Sequence, residues 1–311
     1  MSAVAGPARV LHVLTGATAV GKTEWALRWA EANGAEIISC DSLLFYRGMD
    51  VGTAKPSPAE LGRVRHHLID IRPVSEPMNA SVYASMAKAA ALDIAARGRP
   101  VLVVGGSGFY LRSFFAPVSD GVEVSSEVRG RVSSLLERGG PSALLAELGR
   151  LNPAGLGSLD TANPRRVASA LGRCLASGKT LAELAESFAR AEGPFGGWEV
   201  RLTRLEREPD DLRARISARV DSMLSGGLEA EVARLLAGGI RSNPSACRAI
   251  GYRETIDVLE GRCPAQGLAA AIAKSTRALV KKQRTWFRTQ LPAHRVLDAS
   301  SLGEPGQLFL G

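Results

Sequence analysis

The spacing of apolar residues changes several times along the chain, and each change marks an element. Val10-Leu-His-Val-Leu14 is a short apolar run that reads as a buried strand, and the Gly and Thr residues after it open a turn. Residues 24–32 follow with helical spacing, placing Trp25, Leu27 and Ala30 on one face. Ile37-Ile38 is a second strand that ends at Asp41, and residues 78–97 form an Ala-rich helix. Residues 100–104 form a third strand, ending in Gly105-Gly106-Ser107-Gly108. Strands alternating with helices, each strand closing in a Gly or Asp loop, predict an α/β fold with a parallel sheet flanked by helices. Ligands bind such sheets beyond the carboxyl ends of the strands, where these three loops converge.

The pattern changes near residue 122. Helical stretches at 125–137, 141–151, 164–177 and 181–191, separated by Gly, Asn and Pro breaks, predict an all-helical insertion over 122–196. It divides the α/β core into a first part, 1–121, and a remainder, 197–311. Val200-Arg-Leu202 returns to the sheet, and 210–224, 228–236 and 264–288 give a helical C-terminal region. The tail after Leu297 is expected to be loosely held.

Composition narrows the class. At 311 residues, with 45% hydrophobic and 23% charged, the chain can bury a full core and is not mostly disordered. Its longest apolar runs, such as Val101-Leu-Val-Val104, are far too short for a membrane helix. The start, Met1-Ser-Ala-Val-Ala5, lacks a signal-peptide pattern, so a cytoplasmic protein without a membrane partner is expected. Cys40, Cys174, Cys247 and Cys263 are scattered and read as reduced and structural.

The net charge of +8 is localised. Between residues 241 and 295 stand eleven Lys/Arg against three acids, an excess equal to that of the whole chain. Such a face is either a solvated helix surface or a site for a polyanion, with nucleic acid first among candidates.

Gly16-Ala17-Thr18-Ala19-Val20-Gly21-Lys22-Thr23 satisfies G-x-x-x-x-G-K-[ST] between a predicted strand and a predicted helix. The glycines let backbone N–H groups wrap phosphate oxygens, the helix N-terminus adds positive charge, and Lys22 neutralises phosphate. The Thr23 hydroxyl can hold Mg²⁺. By this motif the fold is P-loop NTPase-like and nucleotide-binding, including ATP, is suggested, although the loop specifies phosphate rather than ATP. Hydrolysing P-loop proteins also carry an apolar strand ending in Asp. Here the third strand ends in Gly105-Gly106-Ser107, and Asp70, in His67-Leu-Ile-Asp-Ile71, is a weak substitute. That favours a diphosphate gripped as substrate or leaving group.

Asp41 can take a proton or bind metal, or simply cap a turn; position alone leaves these equal. Tyr46-Arg-Gly-Met-Asp-Val-Gly-Thr-Ala-Lys-Pro56 is a polar, Gly-rich loop unlike core. His66-His67 is adjacent in a strand, so the two rings face opposite ways and do not make a joint metal site.

Together with Val104-Gly-Gly-Ser-Gly-Phe-Tyr110, Ser177-Gly-Lys-Thr-Leu181, Arg215-Ile-Ser-Ala-Arg-Val-Asp-Ser-Met223, Gly227-Leu-Glu-Ala-Glu-Val232, Arg248-Ala-Ile-Gly-Tyr-Arg-Glu254 and Lys282-Gln-Arg-Thr-Trp-Phe-Arg288, these stretches resemble the bacterial tRNA dimethylallyltransferases, or tRNA isopentenyltransferases, of the IPP transferase family. The blocks stand in the family's order over residues 10–290. The resemblance implies transfer of a dimethylallyl group from its diphosphate to N6 of the adenosine just 3′ of the anticodon in tRNA, with release of diphosphate. It assigns residues 16–23 to the diphosphate and Mg²⁺ to Thr23. Thr18, Lys22 and Arg219 then serve the reaction centre, and Asp41 accepts the N6 proton. Ser107 lies near the reacting nucleotide.

The same resemblance sends Asp41, Ser42, Leu43 and Leu44 to base recognition in the anticodon stem-loop. Arg129, then Asn163, Pro164, Arg165, Arg166 and Val167, then Arg248, Ala249, Ile250, Gly251, Tyr252 and Arg253 become further tRNA contacts. A monomer with no obligatory protein partner is expected. The family commonly has Pro at Ala17, Ser at Val20 and Thr at Ser107, and these departures leave loop backbone and hydroxyl in place. After Asp41-Ser42 many members have Met-Gln or Ala-Leu, and Leu43-Leu44 is of the second type, so without that Gln base edges must be read by backbone or other side chains. Lys281-Lys282 replaces Lys-Arg, which keeps charge and loses the guanidinium fork. Rival classes are a P-loop kinase or NTPase, a prenyltransferase for free adenine nucleotides, and a non-enzymatic RNA-binding protein. The first lacks its acid, the second has little use for the insertion and cationic third, and the last leaves the P-loop idle.

Overall fold

The computed structural model describes residues 9–309. Its strands are β1 (Arg9–Gly16), β2 (Glu36–Ser39), β3 (His66–His67), β4 (Val101–Val104), β5 (Trp198–Glu206) and β6 (Arg295–Asp298). They form one sheet in the order β3-β2-β4-β1-β5-β6, with every pairing parallel. The expected α/β class is therefore the observed one. Leu11, Val13 and Leu14 of β1 and Leu102 and Val103 of β4 are fully buried, as strands covered by helices on both faces require.

The helices are α1 (Lys22–Asn33), α2 (Pro58–Arg63), α3 (Ala80–Ala96), α4 (Gly108–Leu111), α5 (Ser126–Leu151), α6 (Pro164–Ser177), α7 (Leu181–Arg190), α8 (Pro209–Ser225), α9 (Leu228–Ala237), α10 (Pro244–Cys247), α11 (Tyr252–Leu259) and α12 (Leu268–Gln290). None is long and apolar enough to cross a membrane. The chain divides into two compact units, one of residues 1–116 with 194–311 and one of residues 117–193.

The smaller unit is α5, α6 and α7 around Val132, Leu144, Leu148, Val167, Leu171 and Leu184. Ser125, Asn163 and Thr180 cap the starts of these helices with side-chain oxygens. Residues 126–151 run on as one helical stretch, broken only by a bend at Gly140 (φ 67°, ψ −170°) just before Pro141. The separate helices expected at 125–137 and 141–151 are the two arms of that bend.

The C-terminal tail differs from expectation. It is not loose: β6 pairs with β5, Leu308 is fully buried, and Phe309 stacks edge-on against Trp29 at 5.1 Å. Thr203 Oγ1 also donates to the Leu308 carbonyl. Polar spacing hid two apolar anchors at the end of a Gly- and Ser-rich stretch.

Candidate active site

Because β4 lies between β2 and β1, the loops after these three strands are neighbours at one edge of the sheet. Cys40 N–H donates to the Val104 carbonyl at 2.8 Å, and Gly105 N–H to that of Leu14 at 3.2 Å. Gly105 is forced by this crowding: a Cβ there would sit 1.9 Å from the Cys40 carbonyl oxygen.

The loop from Gly16 to Thr23 is braced from several sides. Lys22 Nζ donates to the Gly16 and Ala17 carbonyls, both at 2.9 Å. Ala19 is left-handed (φ 68°), which costs an L residue about 1–2 kcal/mol. Arg215 Nε takes its carbonyl at 2.8 Å, and Arg207 Nε takes that of Val20 at 3.2 Å. Gln283 of α12 accepts the Thr18 N–H at 2.9 Å and donates to the Gly106 carbonyl at 3.0 Å, tying the P-loop to the loop after β4. Gln283 was not among the residues singled out from sequence; only its place in the block Lys282-Gln-Arg-Thr-Trp could have drawn attention to it.

Enclosure of the Lys22 ammonium lowers its pKa to about 8, with Asp41 pulling it up and Arg219 pushing it further down. Burial likewise depresses the Arg219 guanidinium, and Asp41 again opposes the effect. Lys22, Arg219 and Asp41 thus feel one another's charge. Asp41 Oδ1 accepts the Leu43 N–H at 2.9 Å, so the turn-cap reading describes one of its oxygens. Beside it the Cys40 thiol is buried and its pKa is pushed up to about 12, which makes it inert.

Two cavities open on these residues. One, of about 550 Å³, is lined by Thr18, Ala19, Gly21, Lys22 and Thr23 together with Arg215 and Arg219. The other, of about 620 Å³, is lined by Ser42, Leu43, Ser107, Phe109, Arg248, Ala249 and Ile250. Thr18, Asp41, Thr53 and Arg219 belong to the walls of both. A chamber walled by the P-loop and two arginines and a second chamber with a mixed apolar and polar lining therefore share a partition that contains a carboxylate. Electrophile and nucleophile can meet across it.

A third concavity, of about 610 Å³, has Arg204, Arg207 and Arg213 on one side, each paired with an acid (Glu206, Asp211 and Asp210), and Arg277, Lys281, Arg284 and Arg288 of α12 on the other, so its cationic excess lies on α12. The three acids between residues 241 and 295 are occupied, Glu254 by Arg253, Asp257 by Arg262 and Glu260 by Arg241 and Arg262. The localised excess of charge accordingly rests largely on α12 and on exposed Arg248.

Residues 44–290 match the family model described as IPP transferase. The chain belongs to the IPP transferase family. A relative in Opitutus terrae named tRNA dimethylallyltransferase is 64% identical over 299 residues, 96% of each chain. The solved tRNA delta(2)-isopentenylpyrophosphate transferase of Staphylococcus epidermidis is 30% identical, covers 95% of this chain and 94% of its own, and superposes with a TM-score of 0.66. A eukaryotic dimethylallyltransferase solved acting on tRNA shares the fold, with a TM-score of 0.82 at 23% identity and coverage of 96% and 76%.

In this IPP transferase the sequence-selected residues separate into groups. Thr18, Lys22, Thr23, Asp41 and Arg219 gather on the first cavity, and Ser42, Leu43, Ser107 and residues 248–250 on the second, whereas Leu44 lines the first. Ala17 and Val20 are buried and offer only backbone. Tyr252 is a correction: it is fully buried with its hydroxyl on Glu231, so its side chain has no surface for RNA. Gly251 is buried as well, its N–H taken by Glu254. In the smaller unit Arg129 and Arg165 are exposed, but Val167 is core and Asn163 is spent capping α6. Arg166 is paired with Asp160 at 3.1 Å. Asp70, the substitute metal acid, is instead bound by Lys55 and does not line the P-loop cavity. His67 Nε2 lies 2.6 Å from Glu36, and His66 Nδ1 contacts the Val64 carbonyl, so the pair has separate structural partners.

Proposed function

We propose that the chain transfers a dimethylallyl group from dimethylallyl diphosphate to N6 of the adenosine just 3′ of the anticodon in tRNA. The observation that carries this reading is the partition shared by the two cavities. The P-loop side offers backbone N–H groups, Lys22 and Arg219 to a diphosphate. The other side admits a flat base extruded from an RNA loop, which is how enzymes reach a base for chemistry.

The C–O bond between the allyl carbon and the diphosphate breaks, and its electron pair stays on the departing oxygen. Lys22 and Arg219 stabilise that charge as it develops in an enclosed site. The N6 lone pair, weakly nucleophilic because it is delocalised into the ring, forms the new C–N bond. The N6 proton passes to the Asp41 carboxylate. Thr18, beside both chambers, holds the diphosphate end nearest the reacting carbon, and Ser107 orients the nucleotide.

The donor set suits Mg²⁺. No cluster of three His, Cys, Asp or Glu ligands exists among the described residues, but the Thr23 hydroxyl and Asp41 carboxylate line one chamber. Mg²⁺ takes one or two protein oxygens and draws the rest from phosphate and water. Thr23 would hold it, and when bound it would neutralise diphosphate charge.

Arg248 beside the second cavity and the cationic concavity along α12 supply phosphate contacts that position RNA. Incubation with labelled dimethylallyl diphosphate, Mg²⁺ and total tRNA, with ATP in parallel, tests the reading. Label in tRNA without ATP turnover is expected; ATP turnover without label in tRNA would replace it with an NTPase.

A further inference from the structure

Glu231 on α9 is 1% exposed and has no place in the chemistry described above. Its carboxylate is nonetheless fully engaged. Oε2 accepts the N–H groups of Asp50 and Val51 at 2.9 and 2.7 Å, and Oε1 accepts those of Gly52 and the Tyr252 hydroxyl at 3.1 and 2.7 Å. Three consecutive backbone N–H groups converging on one anion form a nest, and four donors match the lone pairs of an ionised carboxylate. Tyr252 presses directly on the nest, since a Cβ on Gly52 would lie 2.6 Å from its ring.

The next residue, Thr53, is part of the partition between the two cavities. Its carbonyl accepts Arg219 Nη2 at 2.7 Å, and its hydroxyl donates to the Met49 carbonyl at 2.7 Å. Lys55, paired with Asp50 at 2.6 Å and bonded to the Tyr46 carbonyl at 3.1 Å, fixes the far end of the same loop. A path of hydrogen bonds and backbone thus runs from Glu231 through the 50–52 nest and Thr53 to the Arg219 guanidinium.

We propose that Glu231 is a positioning residue for the transfer: its buried anion sets the 50–53 loop, and through the Thr53 carbonyl it aims Arg219 at the diphosphate. This rests on the reading of the site given above. A glutamine in its place keeps the volume but puts an NH₂ donor against an N–H or O–H donor, so the nest loosens while α9 remains.

The test compares the full chain with Glu231→Gln, Tyr252→Phe, Arg219→Ala and the Glu231→Gln/Arg219→Ala pair. The readouts are kcat and KM for dimethylallyl diphosphate, tRNA affinity and Tm. Glu231→Gln is expected to lower kcat/KM for the diphosphate about 10- to 100-fold with tRNA affinity within threefold. Tyr252→Phe, which removes one of four donors, is expected to lower it by about two- to fivefold. In the Arg219→Ala background Glu231→Gln should cost less than about twofold more, because the group it positions is gone. Losses that multiply in the pair, or that track the unfolded fraction, overturn the proposal. If Glu231→Gln does not fold, the same cycle run with Tyr252→Phe decides by the same criterion. Transfer by the unsubstituted chain with Glu231→Gln unimpaired sinks this inference alone. No transfer by the unsubstituted chain sinks the proposed function and this inference with it.

Discussion

Strand β2 has a carboxylate at its first residue, Glu36, and another just past its end, Asp41, and the two have opposite fates. Glu36 is 3% exposed and ringed by three guanidiniums, Arg97 at 2.7 Å, Arg99 at 3.6 Å and Arg65 at 3.8 Å, with the His67 imidazole at 2.6 Å. Burial pushes its pKa up, but the bonds from His67 and Arg97 outweigh that and hold it below the ordinary 4.5. Asp41 is half-buried, takes one backbone N–H among the described residues, and faces two cavities and two enclosed cations. An acid whose lone pairs are all occupied braces the fold. An acid at the carboxyl end of the strand, with one oxygen in a turn cap and its side chain in the walls of two cavities, stands where a ligand can reach it.

The sharpest way to break this contrast is Asp41→Ala, expected to abolish transfer, a loss of at least about 10²–10⁴-fold, with tRNA affinity within a few-fold and Tm little changed. Measured label transfer near the unsubstituted level would remove Asp41 from the chemistry. Glu36→Gln should do the reverse. Breaking a buried ion pair from one side costs about 3–5 kcal/mol, read as a lower Tm, while transfer at low temperature persists. Since the folded pKa of Glu36 lies below its unfolded value, its contribution is complete above 4.5 and fades as acid carries pH below that. The acid limb of a Tm–pH curve should therefore flatten in Glu36→Gln, and an unchanged limb would deny Glu36 its bracing role.

Lys22 sharpens the carboxyl-edge side. With its pKa near 8, the free protein loses the ammonium as pH rises through that value. The expected kcat/KM for the diphosphate falls about tenfold per unit above pH 8, and a profile flat to pH 9.5 would contradict it. Stability moves the other way: the folded chain binds fewer protons than the unfolded between about 8 and the ordinary 10.5, so that residue's contribution rises with pH there. The smallest effect concerns two exposed arginines. Arg253 is already held by Glu254 and by Ser275 at 3.2 Å, while Arg248 lines the second cavity. Arg248→Ala should reduce the salt slope of tRNA binding by about one unit, more than Arg253→Ala does. Equal slopes would erase that distinction.

The sequence made some of this legible and hid the rest for a physical reason. The P-loop is readable because its phosphate chemistry is compressed into eight consecutive residues whose spacing is the signal. Alternating strand and helix periods announced the parallel sheet, and the change of pattern near residue 122 announced a helical segment. Asp41 was readable as a strand-end acid, though not as cap or base. Nothing in the local spacing singles out Glu231, since its partners at Asp50, Val51 and Gly52 are about 180 positions away. The same distance hid Gln283. Tyr252 went to RNA with the whole 248–253 stretch that the resemblance assigns to tRNA, and a stretch-wide assignment does not say which of its side chains turn inward, as this hydroxyl does to Glu231.

The clasp of Gln283 on Thr18 and Gly106 has a consequence for biosynthesis. The phosphate loop is spelled out among the first two dozen residues, yet the side chain that pins it is translated 265 codons after Thr18. A nascent chain leaving the ribosome carries the motif through those 265 codons without the pin. The last of the loop's braces then arrives late, and a premature stop ahead of α12 would leave a familiar signature held by Lys22, Arg207 and Arg215 but untied from the loop after β4.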